Sequence, residues 1–137
     1  MKTFKLLMLV LTVIIGTGIS AVSQDTEELK GTSVSEKDGV IVYYFHFERR
    51  CATCHAVENV SRESVEELYG DKVSFEAFNL DEEEGEIKGS EVGVTGQSLL
   101  IVSGDTKIDI TNEGFMNARS NPDKLKKIIK EKVDPLL

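Results

Sequence analysis

Cysteine is scarce in this chain of 137 residues: Cys51 and Cys54 are the only two. A structural zinc site wants four ligands, and with no second pair a four-cysteine site is excluded. Proline is equally rare, and both prolines, Pro122 and Pro135, lie near the C-terminal end. Positive charge is in deficit, with 16 Lys and Arg against 24 Asp and Glu, for a net charge of −8. A chain of that sign repels phosphate backbones, which argues against nucleic acid as a partner. After residue 15 no apolar run is long enough to cross a bilayer. No internal repeat is present, and no low-complexity tract beyond a short acidic run at 81–86.

The two cysteines stand in Cys51-Ala52-Thr53-Cys54-His55. Random placement would set two cysteines three apart roughly once in 70 tries, so the spacing carries information. The run before them, residues 39–47, is β-branched and aromatic, as suits a strand buried on both faces. After them Val57, Val60, Ser64 or Val65, and Leu68 recur at helical steps. The dithiol therefore falls where a strand ends and a helix begins. Unpaired N–H groups and the positive end of the macrodipole at a helix start favour thiolate over thiol, so the pKa of Cys51 is expected to be low. Arg49 and Arg50 would add to that effect by turning inward. Cys54 follows one turn later on the same face, within reach of a disulfide. A four-residue loop is worth only about 2 kcal/mol as a staple before strain is subtracted, so the pair reads as one built to open and close.

Other chemistries fit the same residues. Cys-x-x-Cys-His is also the attachment signature of c-type haem, for which Met116 or His46 could supply the second axial ligand. A metal could take Cys51, Cys54 and His55 or His46. An inert structural disulfide is the plainest alternative. The strand running directly into the motif argues against a haem domain. The expectation is a redox dithiol with no resident cofactor and no metal. Glu48, His46 and His55 are the candidates for proton transfer, while Tyr43 and Tyr44 read as packing residues.

At the N-terminus, Lys2 and Lys5 precede an apolar stretch at 6–15 broken only by Thr12. With Ala21-Val22-Ser23 after it, the segment has the form of a secretory signal cleaved before Gln24. Loss of the two lysines would take the net charge from −8 to −10. The expected organisation is a signal at 1–23, a polar arm at 24–38 and one domain at 39–137, in a periplasmic or secreted location where disulfides persist. Within the domain, 73–80 alternates as a second strand, and 81–86 opens a short helix that Gly85 and Gly89 would interrupt. Residues 98–102 form a third strand, 103–105 a hairpin turn and 107–111 an edge strand. Asn121-Pro122 starts a last helix whose apolar face is Leu125, Ile128, Ile129 and Val133.

That β-α-β-α-β-β-α order, with Cys-x-x-Cys at the first strand-to-helix junction, resembles the thioredoxin fold over about residues 40–133. Asn79-Leu80-Asp81 and the stretch from Val92 to Asp105 look like the corresponding thioredoxin segments. More narrowly, Tyr43-Tyr44-Phe45-His46, Arg50-Cys51-Ala52-Thr53-Cys54 and Gln97-Ser98-Leu99 resemble the exported thioredoxin-like family of ArsF-type nitrophenyl compound nitroreductase subunits. The resemblance implies an α/β fold with a central mixed four-stranded sheet and flanking helices. It also implies a loop at Gln97 and Ser98 facing the dithiol. Thioredoxins carry a cis-proline in that loop, and here Gly96-Gln97-Ser98 takes its place. The activity implied is thiol–disulfide exchange, with Cys51 as nucleophile, Cys54 as resolving cysteine, and Arg50, His55 and Glu48 as tuning or proton-transfer groups. The implied partners are protein thiols and disulfides or a redox partner protein, which could be membrane-bound. The alternative is a non-enzymatic electron-relay or partner subunit using the same pair. A monomer is expected.

Overall fold

A computed structural model describes residues 39–137. The expected signal at 1–23 and arm at 24–38 lie outside the described residues. Strand β1 (Val40–His46) is the axis of the fold. Its side chains are buried on both faces, as its Val, Ile, Tyr and Phe content requires. It pairs in parallel with β2 (Val73–Asn79) and antiparallel with β3 (Ser98–Ser103), which pairs antiparallel with β4 (Thr106–Asp109). The sheet order is β2-β1-β3-β4, a mixed four-stranded sheet.

Helix α1 (Ala52–Tyr69) follows the dithiol and buries Cys54, Val57, Ser61, Ser64 and Val65. Val60 packs more loosely against the same cluster. Gly70 caps its end, and a 3-10 turn (Gly70–Lys72) leads into β2. Helix α2 (Glu83–Val92) is capped by Gly93 at φ 73°, a left-handed conformation in which a Cβ would be strained. Helix α4 (Pro122–Val133) begins as its sequence predicts, with Pro122 in the first turn and the Asn121 side chain accepting from the Lys124 N–H. A 3-10 turn (Asp134–Leu136) follows it.

One element was not expected. Residues 111–117 form helix α3 (Thr111–Asn117), and β4 ends at Asp109 rather than Thr111. Thr111 Oγ1 accepts from the Leu99 N–H at 2.9 Å and donates to Asp109 Oδ1 at 2.6 Å, turning the chain out of the sheet. The helix is seven residues long with a glycine inside, too short to hold by propensity. It is held by packing: Gly114 sits so close to Leu99 and Val57 that an added Cβ would meet them at 3.0 and 3.4 Å.

The sheet divides two apolar clusters. On one face Val42, Tyr44, Leu99 and Ile101 pack against Val57 and Val65 of α1 and Leu125, Ile129 and Val133 of α4. On the other, Tyr43, Phe45 and Leu100 meet Phe78, Leu80, Val92 and Val94. No helix among the described residues is long and apolar enough to cross a membrane.

Candidate functional site

The strand β1 ends at His46, and five residues later Cys51 caps α1. Its backbone is extended (φ −90°, ψ 169°), and its sulfur accepts from the Cys54 N–H at 3.4 Å. A side chain in the N-cap position takes up a donor that the helix leaves orphaned, and here the acceptor is a sulfur. Cys51 is exposed, whereas Cys54 is 3% exposed. Both are free thiols with their sulfurs 2.9 Å apart.

The arrangement lowers the Cys51 pKa to about 7. The hydrogen bond from the Cys54 thiol is the largest cause, followed by the Cys54 backbone N–H. Both donate to the charged form and so favour it. At neutral pH the front sulfur of the reduced pair is therefore about half thiolate.

Around the pair, the sequence-predicted residues take different places. Arg50 does not reach for the sulfur: its guanidinium pairs with Glu58 and lies over the Tyr44 ring, 5.8 Å from the centroid. Glu58 also pairs with Arg62 at 2.5 Å. Burial pushes the Glu58 carboxyl up, and the two arginine hydrogen bonds outweigh that, holding it below the usual carboxylate range. His55, in the first turn of α1, is exposed. Glu48 is exposed as well, and its backbone N–H donates to Asp81 Oδ2 at 2.7 Å. Together with the Leu80 N–H donating to the His46 carbonyl at 2.7 Å, this ties the loop before the dithiol to the loop after β2. The His46 ring lies 3.0 Å from the Phe47 carbonyl, and Met116 is 75% exposed on α3. Among the described residues, no group of three or more His, Cys, Asp or Glu side chains is placed to hold a metal ion.

From the far side the loop at 96–98 meets the buried cysteine. Gln97 Nε2 lies 3.6 Å and Oε1 3.8 Å from Cys54 Sγ. The Ser98 hydroxyl turns instead to the Gly96 carbonyl at 2.9 Å. Peptide bonds among the described residues are all trans, this loop included.

One neighbour had no signal in the sequence. Tyr44, fully buried in β1, donates its hydroxyl to the Cys54 carbonyl at 3.1 Å. Burial first, and then the Cys54 sulfur, push its phenol up to about 12. It is a neutral clamp on the helix turn that holds the second sulfur. The aromatic run announced a packing residue, and only the register of β1 against α1 shows that the ring also carries a hydrogen bond.

Solved structures share this architecture. Thioredoxin O2 from Arabidopsis thaliana in its oxidized state is 18% identical with a TM-score of 0.52, over 70% of this chain and 76% of that one. Chloroplastic thioredoxin z is 16% identical with a TM-score of 0.50, over 72% of this chain and 81% of that one. No family model matches the chain, and no curated protein does. At these identities the likeness is one of fold: a thioredoxin-like α/β domain carrying a Cys-x-x-Cys pair at the first strand-to-helix junction.

Proposed function

We propose that this protein is an exported thiol–disulfide oxidoreductase working through Cys51 and Cys54. The observation that carries the reading is the asymmetric pair itself: an exposed, acidified sulfur at a helix cap, 2.9 Å from a buried one. Cys51 thiolate attacks one sulfur of a substrate disulfide, forms a mixed disulfide and expels the other substrate sulfur as a thiolate. Cys54 then attacks the Cys51 sulfur, closing the Cys51–Cys54 bond and releasing the second substrate thiol. Two electrons pass from the dithiol to the substrate disulfide. In reverse, the same steps oxidise a substrate dithiol. The protons and electrons need no metal or cofactor, and export would place the pair in a compartment where disulfides persist. Protein thiols or a redox partner protein are the substrates of this reading, met by a monomer in the periplasm or outside the cell.

The defining test is a Cys54→Ser variant mixed with a disulfide-bonded peptide. It should accumulate an adduct on Cys51, seen as a mass increase that dithiothreitol removes. A variant that stays unmodified under conditions where the wild type turns over would strike peptide disulfides from the substrate range.

A second reading is a relay subunit that exchanges electrons with one partner protein. The loop at 96–98 supports it, because no proline stands where thioredoxins shape a peptide groove. The narrower resemblance to ArsF-type subunits points the same way. Slow reduction of insulin combined with fast exchange on one partner would favour the relay. Haem or metal carriage is separated by a spectrum. Full-length protein purified from an exporting host is expected to show no Soret band and substoichiometric metal, and a Soret band or stoichiometric zinc would replace the dithiol reading.

A further inference from the structure

The two sulfurs differ in what surrounds them. Cys51 opens to solvent and draws on the Cys54 thiol and on N–H groups of the helix start. Cys54 is nearly closed to water and faces two polar side chains, the Cys51 sulfur at 2.9 Å and the Gln97 carboxamide at 3.6 and 3.8 Å. In the reduced pair the Cys54 proton is held toward the Cys51 thiolate. Once Cys51 is bound in a mixed disulfide, that acceptor no longer carries a charge. Cys54 must then lose its proton and bear negative charge where little water reaches it, so the charge needs a protein donor. Two titratable groups face it, Cys51 on its own helix and Tyr44 from β1, whose hydroxyl bonds the Cys54 carbonyl. The Arg50 guanidinium lies over the tyrosine ring and pairs with Glu58.

A carboxamide suits both protonation states of a sulfur, because its oxygen accepts from S–H and its N–H donates to S⁻. We propose that Gln97 is a positioning residue for Cys54, its carboxamide N–H held against the Cys54 sulfur in the resting pair and stabilising the thiolate in the resolving step. The inference rests on the exchange reading above. In that step the Cys54 thiolate attacks the Cys51 sulfur, the Cys51–Cys54 bond forms as the bond to the substrate sulfur breaks, and the substrate leaves as a thiolate. The proton shed by Cys54 passes to water.

The test uses the full chain and 5,5′-dithiobis(2-nitrobenzoate). Attack by Cys51 releases one coloured thiolate and closure by Cys54 releases a second, so the two steps are read separately. For Gln97→Leu the first release should stay near the wild-type rate. The second should slow about tenfold, the order expected for one hydrogen bond to a charged group, with its pH midpoint raised by about one unit. Gln97→Glu, nearly isosteric but acceptor-only and anionic, should slow the second release further and the first release by much less. It carries the test even where leucine unsettles the loop. A second release indifferent to both variants, or both releases slowed together at unchanged midpoints, overturns the inference alone. A missing first release in the wild type overturns the exchange reading and this inference with it.

Discussion

A Cys51→Ser variant is expected to lose thiol–disulfide exchange by roughly three orders of magnitude or more, because a serine hydroxyl is not appreciably ionised at neutral pH and only the anion attacks. The thermal midpoint should change little, since Cys51 is exposed and serine is itself a good N-cap. In the wild type, alkylation of Cys51 by iodoacetamide should follow a single titration centred near pH 7, falling below it and reaching a plateau above. The sign follows from the cause: the hydrogen bonds favour the charged form, so the thiolate survives to lower pH than in a free cysteine. At pH 7 about half of Cys51 is thiolate, against roughly 3% for an ordinary cysteine titrating near 8.5. Lower basicity weakens each thiolate as a nucleophile, with a Brønsted slope of about 0.4–0.5, so the net gain is only about threefold at neutral pH. The larger consequence lies in departure, since a less basic sulfur leaves a disulfide faster. A midpoint at 8.5 or above would remove the chemical basis of the assignment.

How far this was legible in the sequence depends on the range of the signal. The β-branched and aromatic run of β1, the helical recurrence after Cys54, and Asn121-Pro122 at the start of α4 are local signals, written within one element, and they place the dithiol at its junction. The Gln97 carboxamide stands 43 residues from the sulfur it touches, and nothing in the spelling of Gly96-Gln97-Ser98 says which way a side chain turns. Arg50 illustrates the opposite trap. Its position beside Cys51 suggests thiolate tuning, yet Glu58, two turns along α1, competes for it at close range and with a full charge. Helix α3 had no readable pattern because its stability comes from docking on Val57 and Leu99, whose proximity the chain order does not reveal.

Gly85 carries the same lesson into stability, and Gly85→Ala is expected to destabilise the domain. On propensity alone, alanine inside a helix is favourable by about 1 kcal/mol over glycine, and Gly85 reads in the sequence as a helix breaker. Packing reverses that. A Cβ on Gly85 would lie 1.9 Å from the Asn79 carbonyl oxygen and 2.5 Å from its carbon. Neither atom is free to move. Asn79 is paired in register with His46 at the end of β2, and its carbonyl accepts from the Glu82 N–H at 3.1 Å. Helix α2 would therefore have to lift from the sheet, opening the cluster of Phe78, Leu80 and Val92 against Phe45. Overpacking of about 3 kcal/mol, less the propensity gain, leaves a net loss of about 2 kcal/mol. For a domain of this size that lowers the melting midpoint by about 8–16 °C. The matched control is Gly96→Ala, where an added Cβ meets nothing within 4 Å, and its melting midpoint should stay close to the wild type. Thermal and urea denaturation followed by circular dichroism would read both variants. A Gly85→Ala protein as stable as the control would mean that α2 does not press on β2 at this point, and that the glycine marks only a weak helix.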